Sequence, residues 1–483
     1  MMPFSKWVLL SLFLGLAGLP LDVQAQTRAR QPKSYDGTVK VWETTTDQLN
    51  LLSPQADLQF HKAGRAEVLI GVDDRQTYQT MTGFGAAMTD ASAHVLNHHL
   101  SASQREGLMT DLFSPSQGIG LSFVRLTIGA SDFSSHHYSY DDMPTGQTDP
   151  TLAHFSIEPA RAEVVPLIRQ AKALNGQLTV MATPWSAPGW MKSSDSLIKG
   201  TLNPSAYPYF SAYLAKYLRA MREEGVTISL LSLQNEPSFE PNNYPGMLVP
   251  PSIRAAFIGK FLGPTLKAEG FATQILDYDH NWDLPSSPLA VLHDDVARSF
   301  VSGVAWHCYA GDVSAQGPVH DAYPDKDAYF TECSGGEWAA DFGTNLDWFV
   351  KTLIIGSTRN WAKGVVVWNL ALDEHHGPHL GGCSDCRGVI TINSVTGEVT
   401  RNLEYYALGH ASAFVQVGAT RIASDTQVNG IETVAFRNPK NGSIVLILVN
   451  TRVQAQDFAV QWRGKQFSHR IPAGAVATYV WQM

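Results

Sequence analysis

Between about residues 77 and 400 the chain alternates short β-type runs with helix-length amphipathic stretches, eight times over. The runs are 81–88, 121–128, 178–184, 229–235, 273–277, 303–307, 328–331 and 364–369. Between them, stretches such as 162–174, 209–224, 253–269 and 345–355 carry apolar residues at helical spacing. A strand, a helix and a second strand return the chain in the same direction, so the sheet they build is parallel. Eight such units fit one closed (β/α)8 TIM barrel, an α/β fold whose functional loops gather at the C-terminal ends of the strands.

Past about residue 405 the pattern changes. β-type runs at 431–436, 444–450, 458–462 and 475–481 follow one another with no helix-length segment between them. Pro439 and Asn441-Gly442 mark a turn between the first two. This predicts an appended antiparallel β-sandwich over 406–483, behind a catalytic barrel over 77–405. A further run at 39–43 predicts that the segment 26–76 adds to the same sandwich.

Residues 1–25 read as a secretory signal peptide. Lys6 supplies the positive charge, 7–19 is apolar but short for a membrane span, and Val23-Gln24-Ala25 is a small-x-small cleavage site. The expected protein is secreted or periplasmic. No later apolar run is long enough for a transmembrane segment. The net charge of −9 carries no long acidic or basic block, which argues against nucleic acid as a partner. Export permits disulfides. Cys383 and Cys386 flank a two-residue loop and are the expected pair, whereas Cys308 and Cys333 read as buried free thiols.

The chemistry is sought at strand ends. The fourth run ends Gln234-Asn235-Glu236-Pro237 and the seventh ends Phe330-Thr331-Glu332-Cys333. The two glutamates are 96 positions apart, three repeats of about 32 residues, so they face each other across a barrel mouth. Two carboxyl groups across a cleft suit glycoside hydrolysis, in which one protonates the leaving oxygen and the other serves the anomeric carbon from the opposite face. Their separation decides between retention and inversion, and spacing in sequence leaves both open. The acid needs a raised pKa, which burial and the like charge of its partner both favour.

Five motifs in order carry a resemblance. Gly83-Phe84-Gly85-Ala86-Ala87-Met88-Thr89-Asp90, then Ala182-Thr183-Pro184-Trp185-Ser186-Ala187-Pro188-Gly189-Trp190-Met191-Lys192, then Gln234-Asn235-Glu236-Pro237, Phe330-Thr331-Glu332 and Val367-Trp368-Asn369-Leu370-Ala371-Leu372 resemble the strand motifs of the glucosylceramidase-type glycoside hydrolases, family 30. The resemblance implies retention, with Glu332 as nucleophile and Glu236 as acid/base, and no metal or other cofactor. It implies substrate contacts from Asp90, Trp185, Asn235, His307, Tyr309, Trp368 and Asn369. Arg125 would hold a glutamate and lower its pKa. Asp90 also has a structural reading, as N-cap of a helix starting near Ala91, and Arg125 has one as an ion pair.

The implied substrate is a β-glucoside, glucan or glycolipid, and the leading expectation is a glucosylceramidase-like β-glucosidase. Cys308 stands where lysosomal glucosylceramidases have a larger aromatic. The loop from His375 to Arg387 and the triplet Asp279-His280-Asn281 look closer to the bacterial and β-1,6-glucanase branches. An endo-β-1,6-glucanase is therefore the alternative. Two other classes compete: a non-catalytic carbohydrate-binding barrel, and a metal hydrolase using His375, His376 and His379. The latter lacks a His-Glu-x-x-His pattern.

Overall fold

The computed structural model describes residues 37–482. The expected signal peptide lies outside the described residues. Eight parallel strands close into a barrel in chain order: β1 (Gly83–Met88), β2 (Phe123–Ile128), β3 (Thr179–Pro184), β4 (Leu230–Ser232), β5 (Gln274–Asn281), β6 (Val301–His307), β7 (Asp327–Glu332) and β8 (Ala362–Asn369). Each of the eight expected runs overlaps one barrel strand. β8 pairs back onto β1, with Gly364 opposite Gly83. The barrel interior is filled, not hollow: Phe123, Met181, Leu230, Leu276, Ala305, Tyr329 and Val366 form one buried cluster. Seven strands each contribute one of these side chains.

The helices around the barrel form for ordinary reasons. The helix Glu158–Leu174 begins with proline in its first turn and buries Val164, Val165, Leu167, Ile168 and Ala171 along one face. Burying each large aliphatic chain contributes about 1.5–3 kcal/mol. The helix Ala102–Phe113 opens on a capping box of Ser101 and Gln104. After β1 the helix is Asp90–His98, and its N-cap is Thr89, whose side chain accepts from Ser92 N. Asp90 is therefore not the cap.

Eleven further strands form one sheet, and five short strands pair in two small ladders in the loops after β7 and β8. Thr38–Thr44 pairs antiparallel with Val476–Trp481, Val39 opposite Trp481, so the N-terminal run does join the C-terminal strands. The strand Leu69–Thr80 was not expected, because Asp73, Asp74 and Arg75 interrupt its apolar alternation. It pairs antiparallel with Thr420–Ser424 and parallel with Gln456–Trp462, Ala459 opposite Leu69. The sheet is thus mixed, not purely antiparallel. The same strand runs directly toward β1, where Met81 N donates to Ala419 O at 2.7 Å. The helix Leu403–Ser412 ties barrel and sheet together through buried His410, whose ring nitrogens reach Thr478 Oγ1 and Thr44 Oγ1 at 2.9 Å each.

Two disulfides are present. Cys383–Cys386 closes the loop after β8, and Cys308–Cys333 joins the ends of β6 and β7. The second corrects the expectation of two free thiols. β6 and β7 are hydrogen-bonded neighbours with His307 opposite Glu332, so the next residue on each strand falls beside the other, with Cα atoms 5.4 Å apart. Separation in sequence hides that adjacency.

Candidate active site

The strand ends converge on one buried ionic cluster. β2 supplies Arg125, which is fully buried. Its Nη1 donates to Glu332 Oε2 at the end of β7, and its Nη2 donates to Asp279 Oδ2 at 2.9 Å and to Asn235 Oδ1 at 2.7 Å. His307, at the end of β6, donates from Nδ1 to Glu236 Oε1 at 3.1 Å and from Nε2 to Asp279 Oδ1 at 2.9 Å. Tyr309 OH donates to Glu332 Oε1 at 3.0 Å. Asp279 also receives the hydroxyls of Thr183, Ser232 and Thr331. Glu236 and Asp279 both hold left-handed backbone conformations, with φ of 47° and 51°. Such conformations are uncommon for side-chain-bearing residues and cost of order 1 kcal/mol each.

Charge inventory fixes the protonation of this cluster. Arg125 and Asp279 form a pair, and the guanidinium and the hydrogen bonds hold Asp279 far below the carboxylate range despite its burial. Burial opposes the charge of His307, but Glu332, Asp279 and Glu236 together push its pKa up to about 9. Two cations and one anion leave a single positive charge for the two glutamates to neutralise. One is ionised and the other carries a proton, because a second bare carboxylate in a buried site is costly.

Burial pushes Glu332 above the ordinary carboxyl range, against the pull of His307 and Arg125. Burial also pushes Glu236 up, but the hydrogen bond and charge of His307 outweigh it and hold Glu236 low. The resting proton therefore leans toward Glu332. This corrects the expectation that Arg125 alone would leave its glutamate with a lowered pKa: full burial beside a second carboxylate outweighs it. The proton has a short way to travel, since His307 Nδ1 lies 3.1 Å from Glu236 and 3.9 Å from Glu332.

Above the cluster is a cavity of about 550 Å³ lined by both glutamates, Trp185, Asn235, Tyr309 and Trp368. The indoles of Trp185 and Trp368 stack with centroids 5.0 Å apart, and the Arg125 guanidinium lies 4.8 Å from the Trp185 ring. Three expected contact residues are not in its lining: His307 is fully buried in the cluster beneath, and Asn369 and Asp90 lie elsewhere. Asn369 is buried and accepts from Thr89 Oγ1 at 2.8 Å, so it supports the turn after β1 instead of lining the cavity. Asp90 is not part of the lining either; its Oδ2 accepts from Ser134 Oγ at 2.7 Å and Tyr138 OH at 2.9 Å.

Several residues of the site escaped sequence reasoning. Asp132 lines the cavity, and burial with the charge of Glu332 pushes its pKa up to about 8. Asp279, His280 and Asn281 were noticed only as a triplet marking a branch. Their signal was available: a polar triplet ends a barrel strand, where such residues face the mouth. Asp132 and Tyr244 sit on loops and Trp338 in the 3-10 turn Glu337–Ala339, none of which left such a signal. The histidines His375, His376 and His379 do not converge. Among the described residues the one grouping with metal-ligand geometry is Glu236, His307 and Glu332. Its imidazole has both nitrogens committed to carboxylates and is protonated below about 9, so it offers no lone pair to a cation.

A closed parallel barrel with two glutamates at the ends of β4 and β7 is the frame of a barrel glycosidase. The chain belongs to glycosyl hydrolase family 30: the model of that family's TIM-barrel domain matches residues 81–415, and that of its beta sandwich domain matches 418–479. Endo-1,6-beta-D-glucanase BGN16.3 of Trichoderma harzianum is 33% identical across 98% of this chain and 99% of its own length. Endo-1,6-beta-D-glucanase neg1 of Aspergillus fumigatus is 35% identical across 85% of this chain and 87% of its own. Among solved structures, the endo-beta1,6-glucanase BT3312 superimposes with a TM-score of 0.86 at 31% identity, covering 92% of this chain and 100% of its own.

Proposed function

We propose that the protein is a retaining endo-β-1,6-glucanase, with Glu332 as nucleophile and Glu236 as acid/base. One observation carries retention: an oxygen of Glu236 and an oxygen of Glu332 lie within 4.8 Å of each other. Retaining pairs sit at about 5–5.5 Å, whereas inverting pairs need about 6.5–9.5 Å to admit a water molecule. The linkage rests on the relatives, whose names specify 1,6-β-glucan across nearly the whole chain. That moves the glucosylceramidase-like expectation to second place.

The roles follow from the donors each carboxyl receives. Glu332 takes Arg125 and Tyr309, two donors that stabilise its anion and aim the remaining lone pair. Glu236 takes only His307, and its side chain is more exposed, 14% against 7%. It lies on the side where a leaving group departs and water enters. Catalysis in these roles requires the resting proton to move from Glu332 to Glu236, a transfer relayed by the imidazole between them. Glu332 then attacks the anomeric carbon while Glu236 gives its proton to the departing glycosidic oxygen. In the second step Glu236 takes a proton from water, which displaces Glu332 and restores the original anomeric configuration.

Purified protein incubated with β-1,6-glucan, glucosylceramide and an aryl β-glucoside tests the reading. Short β-1,6-linked oligosaccharides as early products support it; glucose from the lipid alone overturns the linkage. Nuclear magnetic resonance of the first product should show the β anomer. Glu236→Gln should lower turnover by about 10²–10⁴-fold and Glu332→Gln by at least as much, with substrate binding retained. Activity surviving both changes would mean that these glutamates are not the catalytic pair; an intact protein inactive on every β-glucoside would return the barrel to a non-catalytic binding role.

We also propose export to an oxidising compartment, supported by the N-terminal sequence and by the two disulfides. Terminal sequencing of the secreted chain should begin at Gln26. Among the described residues no helix is long and apolar enough to cross a membrane.

A further inference from the structure

The cavity over the glutamates has a buried end and an open end. Trp185 and Trp368 are 3% and 4% exposed, whereas Tyr309 and Trp338 at the other end are 46% and 57% exposed. Beyond Tyr309 and Trp338 a second cavity of about 630 Å³ continues, sharing both residues with the first. Cys308–Cys333 lies along it, and Asp341, Asn345 and the 42%-exposed Trp348 line its far part. The reaction described above absorbs neither Trp338 nor Trp348. Two large exposed indoles in one groove are unusual on a soluble surface unless something covers them.

The wall of this groove is built to stay in place. Gly335 and Gly336 pair with Arg387 and Cys386 in a short antiparallel ladder. Arg387 Nη2 donates to buried Glu404 Oε1 at 2.9 Å, and its Nη1 lies 3.7 Å from Glu337 Oε1. A Cβ on Gly336 would fall inside the ring of Trp338, so the indole lies against bare backbone. The platform is therefore preformed, and little side-chain freedom remains to be lost on binding.

We propose that this second groove binds the glucosyl units on the leaving-group side of the cleaved bond, with Trp338 and Trp348 as stacking platforms. The inference rests on the β-1,6-glucanase reading. Its direction comes from the exposure gradient. The sugar that becomes attached to Glu332 occupies the enclosed end beside Trp185 and Trp368, and the chain that departs runs past Tyr309 and Trp338 into the open groove. Its ligand class comes from the lining. Indole faces match the C–H faces of a pyranose, and the Asp341 carboxylate and Asn345 amide beside them match its hydroxyls. A lipid tail would strip water from the Asp341 carboxylate, for which the Thr344 N–H it caps is one donor where a carboxylate needs several.

The test compares kcat/KM on an aryl β-glucoside with that on β-1,6-linked gluco-oligosaccharides of two to six units. The intact protein should gain with chain length. Trp348→Ala and Trp338→Ala should each cut the value on the longer oligosaccharides about five- to tenfold more than the value on the aryl glucoside, mainly through KM. Trp338→Phe and Trp348→Phe should recover most of the loss, because a flat ring remains. Gly336→Ala, which displaces the indole without removing it, should mimic Trp338→Ala. An unchanged chain-length gain in both alanine variants overturns the inference while leaving the glucanase reading intact. A loss confined to glucosylceramide overturns it in favour of a lipid-binding groove. An intact protein with no activity on any β-1,6-linked substrate overturns both readings together.

Discussion

At the residue scale the defining feature is one imidazole placed between two acids. His307 is not marked by any local motif beyond its position at a strand end, yet it sets the protonation of the pair. Its pKa near 9 in the folded chain, against an ordinary 6.5, has a consequence for stability. The imidazolium contributes fully below about 6.5, and the contribution is lost as pH rises through about 9. Thermal melts should show the transition temperature falling across that window, and His307→Gln should flatten the fall. A profile of unchanged slope in the variant would mean that other groups govern it. The sequence placed Glu236 and Glu332 at strand ends and Arg125 on the second strand, and the barrel brings all three to one cluster. The sequence could not mark Asp279 as the anion that Arg125 and His307 share, because that role exists only when β2, β5 and β6 are adjacent.

At the scale of elements, the eight barrel strands were legible because each is an apolar run of the right length between helix-length segments. Leu69–Thr80 was not, because three consecutive charged residues break its alternation while its neighbours in the sheet supply the pairing. The disulfide between the ends of β6 and β7 belongs to this scale as well. It holds Tyr309 and Glu332 on two tethered strand ends. Replacing Cys308 and Cys333 together by serine should cost about 3 kcal/mol, as for a loop of this length. It should also raise KM for the glucan by loosening the groove beside it. Denaturant melts and steady-state kinetics check the two effects separately. Replacing Cys383 and Cys386, three positions apart, should cost less stability, since a short loop has little closure entropy to lose.

At the scale of the whole molecule, the barrel and the mixed sheet are fastened by buried hydrogen bonds and by a strand from the N-terminal segment. Val41 is buried in that strand opposite Tyr479. Val41→Pro fixes the backbone and puts a ring into the middle of this buried strand, and should destabilise the protein by more than about 1 kcal/mol. If barrel and sheet unfold together, activity and sheet structure should be lost in one transition, at a lower temperature than in the unchanged protein. Two separated transitions would show that the sheet is an independent passenger.

The division between what the chain spells out and what folding decides follows from the range of the interactions. Hydrophobic periodicity and strand-end chemistry act over a few residues, so the sequence alone determined the barrel, its order and the two glutamates at its mouth. Protonation, disulfide pairing, the Arg125–Asp279–His307 cluster and the two-tryptophan groove depend on residues up to 207 positions apart, as Arg125 and Glu332 are. Only closure of the barrel brings those into contact, and only burial in that contact turns two ordinary carboxyl groups into a pair sharing one proton.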